Sequence, residues 1–560
     1  PVSVSRLGRA VEAPLEPEAE SLRLMLSHQV ACFEASGELR LAEDRVLDLR
    51  ELLRCSEGVK GRFLKLDDGR YLALEDGFRR RLQHLRSHLW TGKRGLQVSP
   101  FAVEAVATLA EAFGTVEADP RWTANAARIR GAQALEPTLP ASFEGELRPY
   151  QLEGFRWLVR LGEAGMGACL ADDMGLGKTV QLLALLLHRS ARGPALVVAP
   201  TSVIGNWLRE AARFAPGLKV CRYGEGDRDA ALAEAGPFDM VVTSYGLLQQ
   251  DAARFQGRDW STLVLDEAQA VKNPETQRHK AVAGLKADFR VAASGTPVEN
   301  HLMELWALFD LLCPGLLGKR ESFQSRFQKP IEQQGDRDAQ ASLRRLLRPF
   351  LLRRTKGEVL PDLPARTEIL LEVELGEGEA ALVEALRRES LEALERLEPQ
   401  ERPLQVLAAL TRLRRACCHP ALVAPEAGLA SSKHEVLMDL VEELRENRHR
   451  ALVFSQFVDH LTLVRQRLEA AGIRYQYLDG ATPPKARDAA VAAFQRGEGD
   501  LFLISLKAGG TGLNLTAADY VIHLDPWWNP AVEDQASDRA HRIGQTRPVT
   551  IYRLVAKGTV

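Results

Sequence analysis

Asp172-Asp173-Met174-Gly175-Leu176-Gly177-Lys178-Thr179 follows an apolar run at 167–170 and opens a helical pattern over 180–188. A strand that runs into a Gly-rich turn and then a helix is the setting a phosphate-binding loop requires. Gly175 and Gly177 let backbone N–H groups turn toward an anion. Lys178 can reach terminal phosphates, and the Thr179 hydroxyl can ligate magnesium. One departure stands out: the strict pattern places a glycine five positions before Gly177, and Asp172 occupies that position. The loop implies a nucleotide hydrolase built on a parallel sheet, provided that a partner motif exists.

That partner lies at Thr262-Leu263-Val264-Leu265-Asp266-Glu267-Ala268-Gln269, an apolar strand that ends in two carboxylates. Asp266 at the strand's C-terminal end would hold magnesium through water, and Glu267 would orient and deprotonate the attacking water. A solvated Asp-Glu pair can end any strand. Its pairing with a phosphate loop on another strand of the same sheet favours chemistry.

The chain's 560 residues exceed one hydrophobic core and suggest three to four domains. Hydrophobic content of 45% beside 26% charged residues is that of an ordinary globular protein. A net charge of −2 excludes a global basic field, so nucleic-acid binding must come from local stripes. The seven cysteines lack paired spacing, which argues against a disulfide framework. Cys417-Cys418-His419 reads as a buried helix end, because no second Cys/His pair sits at ligand spacing nearby. No apolar run approaches a membrane span and no signal peptide opens the chain, so no membrane partner is expected. A first residue that is Pro1 and a last one that is Val560, just past a strand, suggest a piece of a larger protein.

The order of patterns predicts four regions. Residues 1–140 form a mixed α+β accessory domain, with alternating strands at 62–66 and 70–74 around Asp67-Asp68-Gly69 and an amphipathic stretch at 78–89. A Pro-containing linker is expected between 127 and 143. Residues 141–300 alternate strands (195–199, 240–243, 263–265, 290–293) with helices, which implies a parallel sheet. Residues 301–430 read as a helical insertion and linker, with one strand near 369–373. Residues 431–560 return to alternation, with strands at 451–455, 474–478, 501–505, 520–524 and 549–554. The fold class is therefore α/β.

The second α/β unit has no phosphate loop of its own. Its chemistry would come from Gln535-Ala536-Ser537-Asp538-Arg539-Ala540-His541-Arg542-Ile543-Gly544-Gln545, expected on a helix after Pro530. Arg539 and Arg542, three apart, would share one helical face and serve as arginine fingers. For an arbitrary pair, a solvated helix face with Asp538 as counter-ion is the commoner outcome.

Read in order, Leu147-Arg148-Pro149-Tyr150-Gln151, the phosphate loop, Ala199-Pro200-Thr201, Thr243-Ser244-Tyr245, Asp266–Gln269, Ser294-Gly295-Thr296-Pro297, Phe454-Ser455-Gln456-Phe457, Lys507 to Asn514 and Gln535 to Gln545 resemble the successive motifs of superfamily-two helicase-like ATPases. The Swi/Snf-type DNA translocases are the closest resemblance. Leu352-Arg353-Arg354-Thr355-Lys356, Leu413-Arg414-Arg415 with Cys418-His419-Pro420, and Asp525-Pro526-Trp527-Trp528-Asn529-Pro530 are further marks of that family, and the match covers roughly residues 145–560.

The resemblance implies two RecA-like lobes with ATP and Mg2+ in a cleft and double-stranded DNA crossing both. Gln151 would read the adenine. Asp173, Met174, Gly175, Leu176, Gly177, Lys178 and Thr179 would wrap the nucleotide, with metal at Thr179 and Asp266. Ser294, Thr296 and Gln545 would couple hydrolysis to lobe movement. Thr201, Ser244, Lys507, Thr511, Asn514, Trp527, Arg353 and Arg354 are the implied DNA contacts, made to the backbone and not to bases. Arg344, Arg345, Arg348, Arg353, Arg354 and Lys356 could line a DNA-facing stripe or form a solvated helix face. The implied partner is a DNA-bound protein moved by a monomeric motor, in the nucleoid of a bacterium or the nucleus of a eukaryote. A strand-separating helicase and an ATP-gated scaffold without turnover are the competing readings. Two departures matter: the chain stops where relatives continue into a bracing helix, and Gln269 replaces the usual His at the end of the acid-rich box.

Overall fold

The computed structural model describes residues 17–28, 33–41, 45–56, 63–92, 95–295, 301–360, 362–396, 398, 400, 402–509 and 513–559. Among the described residues no helix is long and apolar enough to cross a membrane. The chain separates into two compact units, one made of 1–171, 180–199 and 211–353, the other of 172–179, 200–210 and 354–560.

The first unit opens with a six-stranded sheet in which Pro17–His28 pairs antiparallel with Phe33–Leu41 and parallel with Gly114–Ala118. The expected hairpin forms with strands Phe63–Lys65 and Tyr71–Ala73, and Gly69 takes the positive φ its turn requires. The linker begins later than expected. A helix runs over Pro120–Gln133, started by Asp119, whose side chain accepts from the Arg121 N–H, and by Pro120 in its first turn. Trp122, Ile129 and Ala132 bury one face, so the pattern does not lapse at Ala127.

Seven parallel strands then carry the unit. Helix α1 (Pro149–Glu163) precedes β1 (Ala168–Leu170), α2 (Lys178–Arg189), β2 (Ala195–Ala199), α3 (Thr201–Phe214), β3 (Lys219–Arg222), β4 (Asp239–Ser244), β5 (Thr262–Asp266), β6 (Arg290–Ala293) and β7 (Leu351–Leu352). Their order across the sheet is β3-β4-β2-β5-β6-β1-β7. The strands are apolar throughout because helices cover both faces: every residue of β2 and of β5 is buried. The supposed helical insertion is divided, since β7 adds to this sheet, whereas the strand near 369–373 joins the other unit.

The second unit contains β8 (Arg366–Val373), α4 (Glu377–Glu395), α5 (Arg402–Cys418), α6 (Ser432–Glu446), β9 (Ala451–Ser455), α7 (Val458–Ala470), β10 (Tyr475–Leu478), α8 (Pro484–Arg496), β11 (Leu501–Ser505), β12 (Tyr520–His523), α9 (Pro530–Ser537) and β13 (Val549–Ala556). Its six strands are again all parallel, in the order β8-β13-β12-β9-β11-β10. Alternate residues feed two cores. Ala451, Val453, Leu501, Leu503 and Ile522 pack in one, and Leu452, Phe454, Phe502, Ile504 and Val521 in the other.

Candidate nucleotide site

The phosphate loop begins where β1 ends. Gly175 (φ +84°) and Gly177 (φ +75°) occupy the left-handed region that residues with a β-carbon avoid, which turns the backbone back toward the start of α2. Leu176 is fully buried and anchors the turn, whereas Asp173, Met174, Gly177, Lys178 and Thr179 are half-buried. Lys178 Nζ donates to the Asp172 carbonyl at 2.6 Å, curling over the loop that an anion would fill. These features suit a bound polyphosphate.

The departure at Asp172 has a structural cause. Its side chain has no exposure, and it accepts from Arg354 Nε at 2.9 Å, Arg354 Nη2 at 2.5 Å and the Arg354 backbone N–H at 3.2 Å. This two-pronged pair locks residues 354–356 against the loop, and Asp173 adds to it by accepting the Lys356 N–H at 3.1 Å. A glycine at 172 would remove all three of these bonds from the buried Arg354. Arg354 is therefore not part of an exposed DNA-facing stripe, because burial and its counter-ion commit it to the loop. Lys356 is similarly committed, with Nζ 2.6 Å from Asp538 Oδ1 and 2.5 Å from the His541 carbonyl. Burial pulls the Lys356 ammonium below its ordinary range, against Asp538. Arg344, Arg345, Arg348 and Arg353 are exposed.

The arginine pair corrects a second expectation. Helix α9 ends at Ser537, so Arg539 and Arg542 do not share a helical face. Beyond it the backbone tightens, with Arg539 N–H on the Ala536 carbonyl at 3.2 Å and Ala540 N–H on the Ser537 carbonyl at 3.1 Å, while the Arg539 carbonyl accepts from Leu515 N–H at 3.0 Å. Gln545 holds this turn: its amide donates to the carbonyls of Ala518 at 2.8 Å, Ala540 at 3.0 Å and Thr516 at 3.3 Å. Gln545 thus acts on the turn that presents the arginines. Arg539 is buried, and Arg542 Nη1 donates to the Leu513 carbonyl at 3.1 Å. Burial lowers the Arg542 pKa. A β-carbon on Gly175 would lie 2.7 Å from that of Arg542, so the loop leaves no room for a side chain where it faces the arginine turn.

At the C-terminal edge of the first unit's sheet, Asp266 pairs in register with Ala293, and Ala293 with Leu170 at the root of the loop. Asp266 and Leu170, at the end of β1, therefore stand at one level, two strands apart. Glu267 takes φ +48°, a conformation shared by only two other non-glycine residues among the described ones, Phe238 and Arg448. Its Oε2 accepts from Gln269 Nε2 at 2.9 Å, and Gln269 Oε1 accepts from Ser294 Oγ at 3.0 Å. Gln269, read as a departure, thus joins the carboxylate to Ser294, because an amide can donate at one end and accept at the other. Tyr245, quoted within the Thr243-Ser244-Tyr245 motif but given no role there, donates to the Asp266 carbonyl at 2.8 Å, and burial beside Asp266 and Glu267 pushes its pKa well up.

The other expected residues divide by exposure. Thr201, Lys507 and Asn514 are exposed. Ser244 is buried and accepts from Leu247 N–H at 3.2 Å, so its hydroxyl caps a helix and is not presented to a nucleic-acid backbone. Trp527 is half-buried, with the Arg414 guanidinium 5.2 Å from its ring and 5.2 Å from that of Trp528, which is 59% exposed. Gln151 is buried, and its Oε1 accepts the Arg148 N–H at 3.0 Å to close the start of α1. Thr296 and Thr511 lie outside the described residues.

Two family models match the chain in succession, the SNF2-related domain over residues 150–422 and the helicase conserved C-terminal domain over 432–544. The chain belongs to the SNF2-related family. SNF2-related relatives include YwqA of Bacillus subtilis, provisionally named an ATP-dependent helicase/translocase, 44% identical over 76% of this chain and 48% of the relative. Another is the Arabidopsis thaliana ISWI chromatin-remodeling complex ATPase CHR11, 37% identical over 76% of this chain and 42% of the relative. The chain spans about half the length of the curated relatives it matches. Among solved structures, the Sulfolobus solfataricus SWI2/SNF2 ATPase core in complex with dsDNA is 36% identical over 76% of this chain and 91% of that chain. Its TM-score of 0.42 adds nothing on the fold, which the parallel strands establish directly.

Proposed function

We propose that this SNF2-related chain is a DNA-dependent ATPase that tracks along double-stranded DNA and displaces proteins bound to it. The observation that carries the reading is the shared level of the phosphate-loop root and Asp266 on one sheet edge, with Glu267 wired through Gln269 to Ser294. In this reading Lys178 and the loop amides bind the polyphosphate, and Gln151 lies near the base. Thr179 and Asp266 would hold Mg2+, which would neutralise charge on the phosphates. Glu267 takes the proton of the attacking water, and Arg539 and Arg542 match the charge that develops on the γ-phosphate. Ser294, through Gln269, reports the state of Glu267 to the rest of the unit.

DNA engagement falls to the exposed groups Thr201, Lys507, Asn514, Arg344, Arg345, Arg348 and Arg353. Hydroxyl, amide and cationic groups of this kind grip phosphates without reading sequence, so binding weakens steeply with salt. The test is ATP turnover without nucleic acid and then with duplex DNA, single-stranded DNA and duplex RNA, in parallel with displacement of a triplex strand and of a labelled fork. Duplex DNA should stimulate most, with triplex displacement and an intact fork. Fork opening would replace translocation with strand separation, and absence of turnover would leave a scaffold.

A further inference from the structure

Cys418 closes α5, His460 sits in the first turn of α7 and Asp525 follows β12. They are remote in sequence, which is why no ligand spacing announces them, yet one donor atom from each lies within 4.8 Å of the others. His460 Nδ1 is 3.8 Å from Asp525 Oδ1. All three are buried, with exposures of 2%, 0% and 5%. Asp525 Oδ2 accepts the Gln456 N–H at 3.1 Å, and Ser455 Oγ lies 3.3 Å from His460 Nδ1. Asp525 Oδ1 and His460 Nε2 have no hydrogen-bond partner, although each is a buried polar atom. Unpartnered buried polar atoms are costly and call for an explanation.

We propose that Cys418, His460 and Asp525 form a three-ligand site for a zinc-type divalent cation. A thiolate, an imidazole and a carboxylate are the donor set such an ion takes, and two anionic ligands balance its charge. Tetrahedral zinc with bonds of about 2.0–2.3 Å holds its ligands roughly 3.3–3.7 Å apart, so the trio must tighten by about 1 Å. On binding, the Cys418 S–H gives its proton to solvent as the metal–sulfur bond forms, and His460 contributes a ring lone pair. Burial and the Asp525 carboxylate push the Cys418 thiol well up, opposed only in part by Lys433 and Arg414, so a bound cation has to displace the thiol proton; Lys433 Nζ is itself held by the Leu524 carbonyl at 3.1 Å. An approach exists. His434 stacks on His460 with centroids 5.2 Å apart, and His434 and His419 line a cavity of about 390 Å³. The ion would tie the ends of α5 and β12 to α7, and so fix the start of the Asp525–Pro530 loop that carries Trp527 and Trp528.

Cobalt(II) serves as the probe, because a cobalt–thiolate bond gives a charge-transfer absorption that carboxylate or imidazole binding alone does not. Reduced, tag-free, chelator-stripped protein should take up one equivalent with this band. The band should survive in Cys417→Ser and vanish in Cys418→Ser. No band in the wild type, or a band that persists in Cys418→Ser and is lost in Cys417→Ser, overturns the site. Should Cys418→Ser not fold, wild-type melting decides. Zinc at about a hundredfold excess over its Kd should raise Tm by roughly 5 °C relative to chelator, and an unchanged Tm rejects the proposal.

Discussion

The two parallel sheets end differently. At the carboxyl edge of the first, Glu267 leaves its strand in a left-handed conformation and reaches Ser294 through a single glutamine. At the corresponding edge of the second, Ser505, His523 and Asp525 are all buried, and His523 Nε2 lies 2.9 Å from Ser537 Oγ. At the first edge Glu267 stays half-exposed beside the buried Asp266 and Ser294, whereas at the second all three polar groups are withdrawn from solvent. The same architecture therefore ends in half-exposed or in fully buried polar groups according to the residues that terminate its strands.

Glu267→Gln probes that contrast most severely. DNA-stimulated phosphate release should fall roughly 10³-fold with the melting temperature unchanged, because the residue belongs to the open edge. Lys178→Ala should abolish turnover comparably while DNA binding persists in a filter or anisotropy assay.

Asp172→Ala tests the loop's anchorage. It removes the two-pronged carboxylate partner of the buried Arg354 and should cost about 3–5 kcal/mol in denaturant unfolding, with Arg354→Met in the same chain recovering most of the loss. A loss below 1 kcal/mol would mean that the pair does not hold the loop.

At the sealed edge, burial holds His523 down to about 3, whereas the unfolded chain titrates it near 6.5. The unfolded state then binds a proton that the native state refuses. Stability is fully present above the unfolded value and declines as pH falls from about 6.5 toward 3, with a slope of about 1.4 kcal/mol per pH unit for this group. His523→Asn should flatten that part of a urea-unfolding profile without touching the catalytic constant at neutral pH.

The smallest effect belongs to Gln269→Ala, which severs Glu267 from Ser294. Basal hydrolysis should stay within about 3-fold, and stimulation by duplex DNA should drop by an amount matching roughly 1 kcal/mol of lost hydrogen bonding. Gln269→His, which can also donate and accept, should restore it.

Much of this was legible in the sequence. Ala195–Ala199, Thr262–Asp266, Ala451–Ser455 and Leu501–Ser505 stand out because a strand buried on both faces must be apolar at every position. The glycines of the phosphate loop are visible because their backbone angles admit little else. What escaped depends on partners distant in the chain. Arg354 looked like part of a basic surface run because its counter-ion lies 182 residues upstream. The helix after Pro530 seemed to extend through Arg542, since nothing local reveals that Leu515 captures the Arg539 carbonyl. Ser244 offered a hydroxyl suited to phosphate, yet the helix that follows uses it as a cap.

Among the described residues strand β8 has a single sheet neighbour, β13, along which all eight of its residues pair. During synthesis it leaves the ribosome long before that neighbour exists. At about 5–20 residues per second the wait is on the order of ten seconds or more. Over that interval a nascent chain must keep a bare strand edge from recruiting the wrong companion, so the order of manufacture, as much as the finished contacts, shapes how this unit reaches its native state.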